Sequence, residues 1–188
     1  TPYTATCDFE ASTLCEFGSD GAVTFVGTPV HGGAVAAKTS QSHINFESGL
    51  SGPNNDSNLN WRTAVVDYWV YTASNPAAIE FHVFSSSFNI CLGTDGKVFW
   101  NQGGACTDPA IDTAANAITL SSWNHMQFTI LNDPVAGGVS FALNGVTEFS
   151  NFTLNTQDVW YTYETYVSLG SSAVHDYFWD DLSVTITP

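Results

Sequence analysis

The feature that most constrains the fold of this chain is a set of short runs in which apolar and polar residues alternate. The clearest of them are WRTAVVDYWVYT (61–72), AIEFHVFSSS (78–87), WNHMQFTIL (123–131) and YFWDDLSVTIT (177–187). A period of two residues is typical of a strand with one buried face, and no segment shows the 3.6-residue period of an amphipathic helix. About ten such runs at roughly ten-residue spacing predict an all-β chain, folded as a two-sheet antiparallel β-sandwich or jelly roll.

Length and turn chemistry agree with this fold. The chain has 188 residues, enough for a single jelly-roll domain over 1–188 with its own core. Asn144-Gly145 separates two apolar runs and predicts a β-hairpin, because a type I′ turn needs positive φ at both central residues.

The charge balance restricts the partners. Three basic residues face 18 acidic ones, which gives a net charge of −15. A phosphate backbone or an anionic membrane surface would be repelled, so the sequence excludes nucleic acid as a partner, whereas neutral ligands and metal cations are compatible. No apolar run approaches the ~20 residues that span a bilayer, so we expect no membrane insertion.

Four cysteines allow three pairings. The spacing favours two local disulfides, Cys7 with Cys15 and Cys91 with Cys106, and buried free thiols are the alternative. Disulfides form outside the cytosol, so we expect an extracellular (secreted) protein in its mature form. The sequons at Asn55 and Asn151 predict N-glycosylation on such a route.

Three motifs resemble known extracellular families. The opening C-D-F-E-x4-C (7–15) resembles the start of MAM domains, which are adhesion modules. The early Phe-Glu (9–10) and the late D-D-L-S-V (180–184) resemble calcium-bearing jelly-roll carbohydrate-binding modules. W-N-H-M-Q-F-T-I (123–130) followed by F-A-L-N-G-V (141–146) resembles the concanavalin A-like and laminin-G-like sandwich group.

The second resemblance implies a structural calcium ion. In those modules a Glu of the first strand and an Asp of the last strand hold the ion, which here implies Glu10 and Asp181, with Asp180 and Asp8 as further candidates. Ca²⁺ takes six to eight oxygen ligands, and carboxylates from two chain ends can supply several of them if the end strands pair. A solvated acidic edge is the alternative for these residues.

Strand alternation also predicts a ligand-binding face. We expect the side chains that alternate with the core residues to point outward and to form one surface. Aromatic rings on such a surface stack on sugar rings, and polar groups bind sugar hydroxyls. The candidate residues are Trp69, Tyr71, Glu80, His82, His125, Gln127, Trp160 and Tyr166.

Three functions remain open at this stage. The first is a calcium-stabilised, lectin-like module that binds a neutral glycan. The second is a glycoside hydrolase or polysaccharide lyase, in which Glu80 with Glu164, or Asp67 with Glu80, would be the carboxyl pair and His82 a candidate base. The third is an extracellular adhesive protein that self-associates.

Overall fold

A computed structural model describes residues 2–48, 63–85, 88–102, 104–131, 136–154 and 165–187 of the chain. These residues form fifteen β-strands and no helix, so the all-β prediction is confirmed. Within these ranges there is consequently no helix long and apolar enough to cross a membrane.

The first sheet has eight strands and contains both ends of the described chain. Its order is β13-β12-β11-β6-β15-β4-β3, with β1 also paired to β15. Its strands are β1 (Tyr3–Cys7), β3 (Val23–Val26), β4 (Ala36–Thr39), β6 (Thr63–Tyr71), β11 (Trp123–Leu131), β12 (Gly137–Leu143), β13 (Val146–Leu154) and β15 (Tyr177–Thr187).

The second sheet has seven strands in the order β10-β9-β8-β7-β14-β5-β2. They are β2 (Gly18–Asp20), β5 (Ser42–Ser48), β7 (Glu80–Ser85), β8 (Asn89–Leu92), β9 (Lys97–Asn101), β10 (Asp112–Ala117) and β14 (Thr165–Ser171). Every pairing in both sheets is antiparallel, as the sandwich prediction requires.

The core lies between the two sheets and combines aliphatic side chains with large aromatic ones. Tyr68, Phe128 and Trp179 come from the eight-stranded sheet, and Ile44 and Trp100 come from the seven-stranded sheet; all five are fully buried. Each apolar side chain removed from water contributes about 1.5–3 kcal/mol, so this aromatic layer holds the two sheets together.

The alternation predicted for β6 and β11 is confirmed. In both strands every second side chain is buried and the residues between them are partly or largely exposed. The Asn144-Gly145 hairpin is also present, with φ of 51° and 80° at its two central residues. The first and last strands pair with each other, from Tyr3 opposite Ile186 to Cys7 opposite Leu182, which meets the condition stated for a shared calcium site.

Both predicted disulfides form, and the structure has no free cysteine among the described residues. Cys7–Cys15 closes the segment after β1, and Cys91–Cys106 joins β8 to the loop after β9. Asn151 lies in β13, opposite Val139, and Asn55 is outside the described residues. The use of either sequon stays a prediction.

The outward placement predicted for Glu80 and His82 of β7 is wrong, whereas Val83 is buried as its place in the alternation predicts. Alternation placed Ile79, Phe81 and Val83 in the core and Glu80 and His82 outside. Instead Ile79 is 45% exposed, whereas Glu80 is 7% and His82 is 1% exposed. The cause is a β-bulge between Phe81 and Val83, which turns two consecutive side chains, His82 and Val83, toward the interior.

Candidate functional site

The most distinctive feature of the outer face of the eight-stranded sheet is a stack of three rings. The Trp69 indole lies between two imidazoles, His31 at 3.8 Å and His125 at 4.7 Å between ring centroids. The interplanar angles are 15° and 8°, so both faces of the indole are covered by nearly parallel rings.

Each end of this stack is bound to a carboxylate. His31 Nδ1 lies 2.9 Å from Asp181 Oδ2, and His125 Nε2 lies 2.7 Å from Asp67 Oδ1. The Gln127 amide donates to the other oxygen of Asp67 at 2.8 Å. We call these six residues, from Asp181 through His31, Trp69 and His125 to Asp67 and Gln127, the histidine ladder.

Strand register explains half of the ladder. His125 of β11 lies directly opposite Trp69 of β6, and Gln127 lies opposite Asp67. Directly opposed side chains on one sheet face have Cβ atoms about 4.5–5.5 Å apart, so these residues meet without any contribution from loops.

The other half depends on the segment that precedes β4. The buried Asp180 carboxylate accepts the main-chain N–H groups of His31 and Gly32 at 3.0 and 3.1 Å. Burial raises the pKa of Asp180, and these N–H groups partly offset that rise. The Glu10 carboxylate accepts the N–H groups of Ala34 and Val35. Two acids far apart in sequence therefore hold segment 31–35 in place and set His31 against Trp69.

Beside the ladder runs a row of aromatic side chains on neighbouring strands. Trp123 of β11 lies opposite Tyr71 of β6, Tyr71 lies opposite Phe178 of β15, and Phe178 lies opposite Lys38 of β4. Tyr71 is 5.8 Å from Trp123 and 5.7 Å from Phe178 between centroids, with tilted and edge-on geometry. All four side chains are partly exposed. We call these four residues the aromatic row.

The structure brings together five of the residues singled out from the sequence. Asp67, Trp69, Tyr71, His125 and Gln127 all lie on this one face. Trp160 and Glu164 are outside the described residues. Tyr166 belongs to β14 of the seven-stranded sheet, so its backbone is not part of this face.

Glu80 and His82 do not join that face, and their predicted outward placement is corrected. They belong to β7 in the other sheet and point between the sheets. Glu80 accepts hydrogen bonds from His175 Nδ1 at 2.7 Å, from Ser171 Oγ at 2.8 Å and from the Tyr177 hydroxyl. Asp67 and Glu80 therefore cannot flank one substrate bond, because they lie on the outer face of one sheet and the inner side of the other.

The protonation states of this buried cluster follow from its contacts. Burial disfavours charge on His175, but the hydrogen bond and negative charge of Glu80 outweigh it and raise the pKa of His175. Burial likewise opposes charge on Glu80, and its three hydrogen-bond donors lower the pKa of that carboxyl. Glu80 and His175 thus form a buried ion pair.

The connectivity Thr72–His175–Glu80 resembles a nucleophile–base–acid relay, since His175 Nε2 lies 2.9 Å from the Thr72 hydroxyl. Two observations make the cluster structural. The Thr72 hydroxyl lies within donating distance of the carbonyls of Ser74 and Asp176, and Thr72 is only 1% exposed. No substrate can reach that hydroxyl in this arrangement.

His82 lies beside this cluster without any hydrogen-bond partner at either ring nitrogen. Its neighbours are rings, namely Tyr68, Tyr177 and Trp179 at 5.3–5.9 Å between centroids. Burial lowers the pKa of His82 to about 4, so the residue is neutral at pH 7.

The acids assigned to calcium lie near one another at the two chain ends. Asp8 and Asp181 line one surface cavity beside the Cys7–Cys15 disulfide, and Glu10 contacts the same segment 31–35 as Asp181. Within the described part of the chain, no three His, Cys, Asp or Glu side chains are grouped closely enough to hold a metal ion by themselves. The donor type suits Ca²⁺, but main-chain oxygens or water would have to complete the shell.

Sequence reasoning did not select His31, Phe178 or Lys38. His31 lies in a Gly-rich segment and is set against Trp69 by contacts with acids distant in sequence, such as Asp180 about 150 positions away, so no local pattern could identify it. Phe178 alternates with buried Tyr177 and Trp179, and this was a usable signal for an outward side chain. The alternation is then interrupted by a bulge between Asp180 and Ser183.

Comparisons with known proteins support the fold. No protein-family model and no curated protein sequence matches the chain. Among solved structures, domain 4 of AbnA, an extracellular GH43 arabinanase from Geobacillus stearothermophilus in complex with arabinotriose, is similar with a TM-score of 0.63 and 19% identity. That match covers 97% of this chain and 90% of the other.

Two further structures are similar at lower identity. The carbohydrate esterase vb_24B_21 from the Shiga toxin-encoding bacteriophage phi24B matches with a TM-score of 0.59, 12% identity and 97% coverage of both chains. A Trypanosoma rangeli sialidase in complex with the inhibitor DANA has the same TM-score and identity, over 87% of this chain and 27% of the sialidase. At these identities the likeness shows that the chain has a β-sandwich fold shared with domains of carbohydrate-active proteins.

Proposed function

We propose that the chain is a secreted, calcium-stabilised carbohydrate-binding module that takes a neutral glycan on the outer face of the eight-stranded sheet. The observation that carries this proposal is the single, partly exposed surface on which the histidine ladder and the aromatic row lie side by side.

The chemistry of this surface suits an uncharged polyol. Partly exposed rings offer apolar area to the C–H faces of a sugar, and carboxylate, amide and imidazole groups exchange hydrogen bonds with its hydroxyls. The ladder holds these polar groups in fixed positions before a ligand arrives, which reduces the entropy lost on binding. A net charge of −15 disfavours an anionic ligand, and Lys38 is already paired with Asp176 at 2.8 Å.

The comparisons support the ligand class. The arabinanase domain was solved with a bound trisaccharide, and the other two proteins act on carbohydrates by their names. The two disulfides are compatible with an oxidising compartment and thus with a secreted protein.

Calcium is a separate part of the proposal. Glu10, Asp181 and Asp8 are the residues that would hold the ion, with Asp180 fixing the adjacent segment. The ion would neutralise carboxylates near the first and the last strand and so stabilise the first sheet.

We expect Ca²⁺ at a hundred times its Kd to raise the free energy of unfolding by about 2.7 kcal/mol. Glu10→Gln with Asp181→Asn should abolish that gain in a thermal-unfolding assay with and without chelator.

The decisive experiment measures glycan binding by isothermal titration calorimetry, with neutral gluco-, xylo- and arabino-oligosaccharides as ligands. We expect binding by the purified chain and at least a tenfold loss for Trp123→Ala. Phe84→Ala is the matched control, because Phe84 is a 36% exposed aromatic residue in β7 of the other sheet. Equal losses for both variants, or binding of none of these series, would refute the proposed site.

A further inference from the structure

The geometry of the outer face also indicates what shape of glycan it takes. We infer that the aromatic row binds an extended internal stretch of a linear neutral glycan, laid across the strands, and that it does not select a single terminal sugar. This inference rests on the proposed function and adds the length and direction of the ligand.

Trp69 is the largest ring of the ladder, but a sugar cannot use it as a stacking surface. Both faces of its indole are covered, by His31 at 3.8 Å and His125 at 4.7 Å. The two imidazoles are held in turn by Asp181 and Asp67. A sugar therefore cannot stack on Trp69 without breaking the ladder, and the ladder acts as a polar wall.

The rings of the aromatic row are the stacking surfaces that remain once Trp69 is covered. The aromatic row is linear, because strand register places Trp123, Tyr71, Phe178 and Lys38 directly opposite one another on four adjacent strands. The rings of Trp123, Tyr71 and Phe178 lie on three adjacent strands, so two strand spacings of about 4.8 Å give the stacking part of the row a length of about 10 Å. Lys38 on the fourth strand extends the row to about 14 Å, the span of about three consecutive sugar rings. The tilted and edge-on ring contacts leave part of each ring exposed.

The polar groups of the histidine ladder lie beside this row. Trp69 and Tyr71 are two positions apart in β6, as His125 and Trp123 are in β11. Trp69 and His125 of the ladder thus lie about 7 Å along their strands from the row, since a strand rises about 3.3 Å per residue. His31 of the ladder contacts the row edge-on at Trp123, with 5.8 Å between ring centroids. His31 bonds Asp181 through Nδ1, so Nε2 is the ring nitrogen that can bond a sugar hydroxyl. Repeated hydroxyls along one edge of a chain would meet repeated polar groups along the ladder.

The row is open at its Lys38 end. Lys38 lies with its ammonium 5.5 Å from the centre of the Phe178 ring and bonds Asp176. Beyond Lys38, Thr24 of β3 continues the same register as an exposed side chain. Because β3 is the edge strand of this sheet and Thr24 is exposed, a polymer can pass over this end, whereas a site specific for a chain terminus needs a closed end.

The test compares oligosaccharides of increasing length from one neutral series, from monosaccharide to hexasaccharide, by isothermal titration calorimetry. We expect affinity to rise roughly tenfold per sugar up to about three units and then to level off, because stacking on each ring adds about the same free energy. Binding to a neutral polymer should not depend on salt between low and high ionic strength.

Variants at the first and the last aromatic ring of the row test its direction. Trp123→Ala and Phe178→Ala should each shorten the range over which affinity rises by about one sugar, whereas Trp123→Phe and Phe178→Tyr should restore it. Near-ultraviolet circular dichroism checks that each variant is folded. Phe84→Ala should leave the length dependence unchanged.

The outcomes separate this inference from the function on which it rests. If a monosaccharide binds as tightly as the trisaccharide and Trp123→Ala still weakens it, the site is a glycan site but the extended-chain inference is wrong. If the length dependence survives both alanine variants, the chain does not lie along this row. If no oligosaccharide binds, both proposals fail.

Discussion

Two histidine–carboxylate pairs in this protein have the same separation and opposite surroundings. His175 Nδ1 lies 2.7 Å from Glu80 Oε1 between the sheets, where the two side chains are 7% and 6% exposed. His125 Nε2 lies 2.7 Å from Asp67 Oδ1 on the outer face, where they are 24% and 34% exposed. The distance alone would assign them the same role.

The surroundings show why the roles differ. The inner pair is surrounded by Ser171, Tyr177 and Thr72, whose hydroxyls bind the remaining polar atoms of Glu80 and His175. Removal of one partner would leave a charge with no access to water. The outer pair is in contact with water, which screens its attraction and can replace either partner. The inner pair therefore contributes to the stability of the fold, and the outer pair orients a surface that remains accessible to a ligand.

We expect the largest loss of stability from a substitution that breaks the inner pair. Glu80→Gln keeps the shape of the side chain but leaves the His175 imidazolium without its hydrogen-bonded counter-charge, which should cost about 3–5 kcal/mol of unfolding free energy near pH 6. Urea denaturation measures this value.

The pH dependence of that loss provides the control. The pKa of His175 is raised by Glu80, so the stabilisation by the pair is complete below the ordinary histidine pKa of about 6.5 and is lost as pH rises through the raised value. The difference between wild type and Glu80→Gln should therefore narrow in alkaline solution. A loss below about 1 kcal/mol at pH 6 would contradict the buried ion pair.

Much of the fold was predictable because strand alternation is a local property. The outward set of β6 and β11 follows directly from it, and their adjacency brought Asp67, Trp69, His125 and Gln127 together as expected. Alternation does not reveal which sheet a strand joins, so Glu80 of β7 was assigned to the wrong surface.

Bulges and long-range contacts account for the remaining errors. The bulge in β7 shifts the alternation by one residue, and no residue spacing in the sequence reveals it. His31 joins the ladder because Asp180, which is buried near the opposite end of the chain, accepts its main-chain N–H. A site assembled by such contacts depends on the tertiary structure, and only its half on neighbouring strands could be predicted.

His82 is a buried histidine without a carboxylate partner, and we expect it to make the stability of the protein depend on pH in the opposite direction to the inner pair. Burial lowers the pKa of His82 to about 4, while Glu80 and His175 nearby oppose each other in their effects on it. The unfolded state takes up the proton first, so stability is complete above about pH 6.5 and falls as pH drops toward 4. The loss attributable to His82 should reach about 2 kcal/mol at pH 5.

His82→Phe isolates this contribution. Both ring nitrogens lack partners, so the substitution removes no hydrogen bond, and the neighbouring rings offer an apolar site. The variant should be at least as stable as wild type at pH 7 and should lack the steep loss between pH 6.5 and 5. Parallel curves for the two proteins over that range would show that His82 is not neutral and buried.

The smallest expected effect on stability concerns the outer pair. Asp67→Asn removes the charge that His125 and Gln127 share, and we expect the unfolding free energy measured by urea denaturation to change by less than about 1 kcal/mol, because the pair is exposed.

The same variant should weaken trisaccharide binding roughly tenfold, since two ladder residues lose the anionic acceptor that orients them. In calcium-free buffer, where the proposed ion makes no contribution, Asp181→Asn at the other end of the ladder is the matched variant and should behave alike. If Asp67→Asn destabilised the protein as much as Glu80→Gln does, burial would not distinguish the two pairs, and the different roles assigned to them would be wrong. Unchanged binding would instead limit the ladder to a structural role, even if the aromatic row binds glycan.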